Sequence, residues 1–224
     1  MILHLLLLMA CSMLCIAGWL RHMKGVAPVQ RAHRWRSSSF PAPAGLVYRL
    51  DGAETPNRTV SAALTPRVTA DGGVAFPRGW NHCVTLGTVS TVAYTWALAK
   101  LAEDNPDGHR EREQALDRAL IVPTLAFAAL AIFMALGRIN PFYALTLTAL
   151  VWAVMAYSAF RTHGWEWQAV TIAREGLKTA GMWPQMPGAS HMLDRALSAQ
   201  AWCRIGGFPR YFPRWCSPDP MEQK

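Results

Sequence analysis

Two stretches of this chain, Ala119 to Gly137 (ALIVPTLAFAALAIFMALG) and Phe142 to Phe160 (FYALTLTALVWAVMAYSAF), contain no charged side chain, and only Arg138-Ile139-Asn140-Pro141 separates them. At a helical rise of about 1.5 Å per residue, each run of roughly 19 residues crosses a hydrocarbon layer about 30 Å thick. So short a link permits only a tight antiparallel helical hairpin. Pro123 is expected to bend the first of these helices or to sit in its opening turns, where a missing amide donor costs least. A third run, Ile2 to Leu20 (ILHLLLLMACSMLCIAGWL), has His4 as its one titratable group besides two thiols. It has the length and small terminal residues of a signal peptide; the reading adopted is a retained N-terminal anchor. These runs explain why the 224-residue chain is 52% hydrophobic and only 16% charged.

The basic residues set the orientation. Taking the runs in chain order, Arg21, Lys24, Arg31, Arg34 and Arg36 follow the first (Ile2 to Leu20), Arg110, Arg112 and Arg118 precede the second (Ala119 to Gly137), and Arg161 follows the third (Phe142 to Phe160), whereas the hairpin loop has only Arg138. By the positive-inside rule, residues 21–118 and 161–224 share the cytoplasmic or matrix side. The same asymmetry accounts for much of the +8 net charge. Basic groups beside membrane helices meet anionic lipid phosphates and partner subunits, so the charge does not argue for nucleic-acid binding. Arg21, Lys24, Arg118 and Arg161, with Trp19 and Trp165 as indole anchors at headgroup level, are the expected lipid-interface residues.

Between the first two runs the composition changes twice. Residues 26–66 are rich in Pro, Ser, Gly and Arg, with a strand expected at Gly45 to Leu50 (GLVYRL); Arg67 to Phe76 reads as two short strands about an Asp71-Gly72-Gly73 turn. Val84 to Asp104 is apolar enough for a buried helix, interrupted by threonines and ended by EDNPDG. It is expected beneath the membrane hairpin, or as a shallow fourth membrane element. After the hairpin, Trp165, Ala169, Ile172, Ala173, Leu177 and Ala180 recur at the helical period, PQMPG turns the chain, and Met192, Ala196, Ala199 and Cys203 mark a second amphipathic helix. The final segment has no periodicity. Phe208, Arg210, Tyr211, Phe212, Arg214 and Trp215 supply the aromatic and arginine anchors with which it would dock on a neighbouring chain.

The expected fold class is therefore a mainly α membrane protein with three transmembrane helices, a small αβ surface region and a C-terminal helical hairpin. Its parts are an anchor (1–20), a membrane-surface αβ and helical region (21–118), the transmembrane hairpin (119–160), a second helical hairpin (161–205) and an extended tail (206–224).

Chemistry is scarce by comparison. The five cysteines contain no CxxC pair, the seven histidines are scattered, and there is no GxSxG elbow, phosphate loop or dinucleotide fingerprint. Thiols on the positive side should stay reduced. The Asn57-Arg58-Thr59 sequon falls on the side where it would not be glycosylated. One carboxylate, Glu166, stands between Trp165 and Trp167 just where the third run ends.

The order of parts, with the Ser-rich RSSSF (Arg36 to Phe40), the linker REREQALDRALIVP and GWEWQA (Gly164 to Ala169), resembles the neutral zinc metallopeptidase family of bacterial membrane proteins. The likeness covers most of residues 1–205 and is one of architecture. In that family the apolar helix carries HExxH, in which two histidines on one helix face bind Zn²⁺ and the glutamate takes a proton from the metal-bound water. The resemblance places Glu166 at the family's conserved glutamate. Here the corresponding helix reads TVSTVAYTWA, Thr88 to Ala97, without histidine or carboxylate. The resemblance thus implies a pseudoenzyme with no catalytic residues and no metal, Glu166 being the vestige of a ligand, held by Arg161 or by hydroxyls of the 88–95 helix and replaceable by Gln at little cost.

A non-catalytic accessory subunit of a large membrane complex is the function these features support. No cofactor is expected, though a structural phospholipid is compatible with them. Arginine outnumbers lysine 18 to 4, and a pI near 9.7 suits the matrix side of the mitochondrial inner membrane, which points to a respiratory-chain complex or the ATP synthase as host. A membrane zinc peptidase with a rearranged metal site, and a subunit of a photosynthetic or translocation complex, are the alternatives.

Overall fold

The computed structural model describes residues 12, 15–16, 18–36, 40–52, 60–63, 66–69, 71–77, 80 and 84–203. Eight helical elements lie within them: α1 (Arg21–Val26, π-helical), α2 (Ala27–His33), α3 (Pro43–Asp51), α4 (Leu86–Asp104), α5 (Pro106–Ala135), α6 (Pro141–Arg161), α7 (His163–Thr179) and α8 (Pro187–Cys203). A three-stranded sheet joins β1 (Val60–Ala62), β2 (Arg67–Val68) and β3 (Val74–Phe76) in the order β1-β3-β2. Mainly helical with one small sheet, the fold agrees in outline with the reading of the sequence.

Helix α4 is the axis of the globular part. Thr85 caps it, its hydroxyl accepting from the Thr88 amide at 3.1 Å, and every residue from Leu86 to Ala99 is buried. Such a helix can carry hydroxyls because it satisfies them itself. Ser90 Oγ and Thr91 Oγ1 donate to the Gly87 carbonyl at 2.8 and 2.9 Å, and Thr95 Oγ1 donates to the Thr91 carbonyl at 2.8 Å. Helices α3, α7 and α8 pack around it, and Leu46, Val47, Ala169, Ala173, Leu177, Leu193 and Leu197 close one core with it. Gly176 lets α7 approach: a Cβ there would stand 2.7 Å from the Trp96 ring. Each buried Val or Leu contributes about 1.5–3 kcal/mol, so this shared core is what unites the chain segments on either side of the hairpin. The described residues of 21–104 and 163–203 therefore pack as one body with α4 at its centre, and α4 also contacts α5 at the base of the hairpin.

The β2–β3 pairing is antiparallel about the foreseen turn, with Arg67 opposite Ala75, Thr69 N donating to Gly73 O at 2.9 Å and Gly72 at φ +77°. Strand β1, not foreseen, adds parallel to β3, whose three residues are all buried. The strand expected at Gly45 to Leu50 is instead helix α3. Pro43 occupies its first turn, Gly52 ends it at φ +64°, and Leu46, Val47 and Leu50 bury one helical face. Those end signals outweigh the β-branched and aromatic character of a short run.

Asn105 separates α4 from α5. Preceding a proline, it leaves the helical region, and its Oδ1 then accepts from the Gly108 amide at 2.9 Å to start the next helix with Pro106 in its first turn. Helix α5 continues for 30 residues, so the charged linker and the apolar run form one continuous rod with Pro123 in its interior, not near its start. No proline or glycine lies between Gly108 and Ala119 to divide them. At the far end Gly137 adopts φ +64° and Arg138 N reaches back to Phe133 O at 3.0 Å. Asn140 Oδ1 accepts from Phe142 N at 2.9 Å and Pro141 opens α6, so the short link turns the chain as expected.

The hairpin is inside out relative to the globule. Small residues line its interior, with Ala119 and Ala144 buried, while Leu125, Phe127, Ile132, Leu145, Val154 and Tyr157 are exposed. Among the described residues one helix, α5, is long and apolar enough to cross a membrane, with only 12% of its apolar stretch buried; the stretch of α6 described throughout, Pro141–Val154, is apolar as well. Ile2 to Leu20 falls largely outside the described residues, so one such helix stands where three were expected.

Candidate functional site

Glu166 lies in the first turn of α7 and is 1% exposed. Facing it is Arg112, on the charged half of α5 and also 1% exposed. Arg112 Nε donates to Glu166 Oε1 at 2.7 Å, and Nη2 stands 2.7 Å from the same oxygen. Nη1 meets Glu113 Oε1 at 2.5 Å. Arg112 points inward because it shares a helix face with Leu116 and Ala119, both buried. Trp165, next to the carboxylate, packs over Gly108, where a side chain would collide with the indole. The expected partners of Glu166 are thus replaced: Arg161 is exposed at the end of α6, and the serine and threonine hydroxyls of α4 are engaged elsewhere.

An isolated ionised carboxylate in such surroundings would cost several kcal/mol, and a guanidinium that bonds it while holding a second carboxylate offsets that cost. The geometry clamps the base of α5 to α7. Nearby His109 has its pKa lowered by burial, with Glu113 raising it and Arg112 lowering it further. No group of three or more His, Cys, Asp or Glu side chains able to hold a metal ion occurs among the described residues.

On the other side of α4 its hydroxyls meet α8. Gln200 Nε2 donates to Thr91 Oγ1 at 2.9 Å and to Ser90 Oγ at 3.3 Å. His33 Nδ1 lies 3.0 Å from Thr85 Oγ1, which in turn contacts Thr88 Oγ1 at 3.0 Å. The imidazole is wedged over Gly87, whose missing side chain leaves room for it, and burial pushes its pKa down to about 4. At neutral pH this is an uncharged hydrogen-bonding seam.

A third cluster forms where α6 ends. His163 stacks on Phe160 with centroids 5.5 Å apart and meets Trp202 of α8 edge-on at 5.3 Å. Trp167 Nε1 donates to His163 Nε2 at 2.7 Å, which requires a neutral ring with its proton on Nδ1, and burial lowers the pKa of His163 accordingly. Lys24 Nζ sits 4.6 Å over the Trp202 ring, and Arg21 Nε donates to the Cys203 carbonyl at 3.1 Å, capping α8.

Of the residues expected at a lipid interface, Arg21 and Lys24 therefore meet in this cluster. Trp19, two residues before Arg21, is 62% exposed. Arg118 is exposed on α5, bonding Gln114 at 3.3 Å, while Trp165 faces inward against Gly108. The proposed docking residues Phe208, Arg210, Tyr211, Phe212, Arg214 and Trp215 lie outside the described residues. Sequence reasoning missed Arg112, His163 and Trp202. The 112-116-119 spacing on one helix face was the available signal for Arg112; the other two needed the junction of three helices. No family model, curated protein or solved structure matches the chain.

Proposed function

We propose that this chain is a non-catalytic structural subunit of a larger membrane assembly, anchored by its apolar helices and holding one packed body on the positive side. The observation that carries this reading is the opposed burial of the two halves: the outward apolar side chains of α5 and α6 form a surface that water does not tolerate at this size. The Arg112–Glu166 clamp supports it further, since it ties the hairpin to the globule where the resemblance would put a metal ligand. In the remaining part of that site, Ser90, Thr91 and Thr95 of α4 bond the helix's own carbonyls, and Ser90 and Thr91 also accept from Gln200. The alternation of Arg-rich surfaces with apolar spans fits three membrane helices, with anionic lipids and other subunits as partners. An oxidative-phosphorylation complex of the mitochondrial inner membrane is the proposed host, on the strength of its arginine-rich, basic composition. Mass spectrometry of the gently solubilised native assembly tests the proposal: this chain should co-migrate in fixed proportion with redox-active or ATP-hydrolysing subunits. A chain that migrates alone, or shows peptidase activity that depends on Glu166, would refute it.

A further inference from the structure

We propose that the corner where α1, α8 and the α6–α7 junction meet is a binding site for one anionic phospholipid of the positive-side leaflet. The inference rests on the membrane reading above and adds a specific ligand to it. Three features converge there. The first is a cationic shelf: Lys24 is held over the face of Trp202, and Arg21, nearly one turn earlier, is fixed by its bond to the Cys203 carbonyl. Both charges belong to one short helical segment whose preceding turn presents the exposed Trp19.

The second is a neutral aromatic wall. Trp202, His163 and Phe160 form a continuous row of rings from the cationic shelf to the last turn of α6, with successive centroids 5.3 and 5.5 Å apart, the first pair edge-on and the second stacked. Because His163 Nε2 accepts from Trp167, the ring is uncharged and adds no competing cation or anion to the wall. The third is an apolar track. Val154, Tyr157 and Phe160 recur every three residues along one side of α6 and are 58%, 62% and 48% exposed. A phospholipid is the ligand class that needs all three at once, in this order: phosphate on Arg21 and Lys24, glycerol level against indole and imidazole, and an acyl chain along the α6 track. A soluble phosphate would use only the shelf, and a second protein copy would have to match a cationic end with an acidic one.

The test is native mass spectrometry of the full chain released from nanodiscs of phosphatidylcholine alone and of phosphatidylcholine with phosphatidylglycerol. We expect one retained phosphatidylglycerol per chain in the mixed nanodiscs. Lys24→Gln should reduce that retention roughly fivefold, the effect expected of one basic side chain at an anionic surface. Lys24→Arg should preserve it, and Arg195→Gln, the same charge change on an exposed part of α8, should leave it unaltered. Equal retention of the two lipids, an unaltered preference in Lys24→Gln, or a lipid-free dimer would each overturn the proposal. Failure of the chain to enter either nanodisc would instead strike the membrane reading, which keeps the two failures distinguishable.

Discussion

Helices α4 and α6 are similar in length, at 19 and 21 residues, and both are dominated by apolar side chains with internal threonines, yet they meet opposite fates. In α4 everything from Leu86 to Ala99 is buried, whereas α6 exposes Tyr143, Leu145, Leu147 and Tyr157. Both satisfy hydroxyls in the same way, Thr146 Oγ1 and Thr148 Oγ1 donating to carbonyls four residues back at 2.8 Å. Apolar composition therefore decides only that a helix must avoid water. What it is buried in depends on its partners: α4 lies among amphipathic helices that each offer an apolar face, while α6 has α5 along one side and, among the described residues, no comparable cover on the other.

The largest expected effect breaks the symmetry directly. Ala93 is fully buried at the middle of α4, so Ala93→Asp would place an unpaired charge in the core and should cost more than about 4 kcal/mol, unfolding the globule. Val154→Arg on the exposed side of α6 should leave denaturant unfolding of the globule nearly intact but impair membrane insertion, by about 3 kcal/mol for an arginine near a span's centre. Circular dichroism in denaturant reads the first outcome and carbonate extraction the second. Equal loss of globule stability in both variants would end the distinction between the two helices.

Next in size is the clamp between the halves. Glu166→Gln leaves Arg112 buried without its main counter-charge and should destabilise the native state by about 3 kcal/mol. This differs from the near-silent substitution expected when the carboxylate was placed at a membrane exit beside exposed partners. Replacing both residues, Arg112→Leu with Glu166→Leu, should recover most of the loss, because the penalty lies in the orphaned charge. A double-mutant cycle by chemical denaturation checks the coupling; additive losses would show that the pair is not the connection between α5 and α7.

A pH dependence should be confined to the globule. Burial lowers the His33 pKa to about 4 in the folded chain, against 6.5 for an imidazole in water, so between those values the unfolded chain binds more protons. Stability is then complete above pH 6.5 and declines as pH falls towards 4, by up to about 3 kcal/mol before allowance for the ring's residual exposure. His33→Asn should remove this part of the slope, measured as unfolding midpoints across the range. An unchanged slope would mean that His33 is not excluded from protonation in the native state.

Much of this organisation was legible in the sequence, for reasons that also explain the omissions. The hairpin announced itself through uncharged runs around a four-residue link, and α7 through apolar positions at the helical period. Signals of that kind accumulate over several turns. Gly45 to Leu50 was too short to accumulate one, and its decisive markers, Pro43 and Gly52, lay outside it. Arg112 was obscured by its neighbours: within REREQALDRAL an arginine reads as solvated or lipid-facing, and only the alignment with Leu116 and Ala119 shows that it points inward. Its meeting with Glu166 depends on how α5 and α7 cross, information that no local pattern contains.

The smallest effect sharpens the same point about burial. Arg174 Nη2 and Asp194 Oδ1 are 2.7 Å apart across α7 and α8, as close as the Arg112–Glu166 contact, but their side chains are 31% and 46% exposed. Water already solvates these charges, so separating them exposes no orphan, and salt screens what attraction remains. Arg174→Ala should therefore cost less than about 1 kcal/mol, and raising the ionic strength should shrink the difference further. Measured beside Glu166→Gln under the same denaturation protocol, the two ion pairs of equal length should differ several-fold in effect. If Arg174→Ala proved as damaging as Glu166→Gln, contact distance rather than burial would set the strength of these pairs, and the clamp would lose its special status.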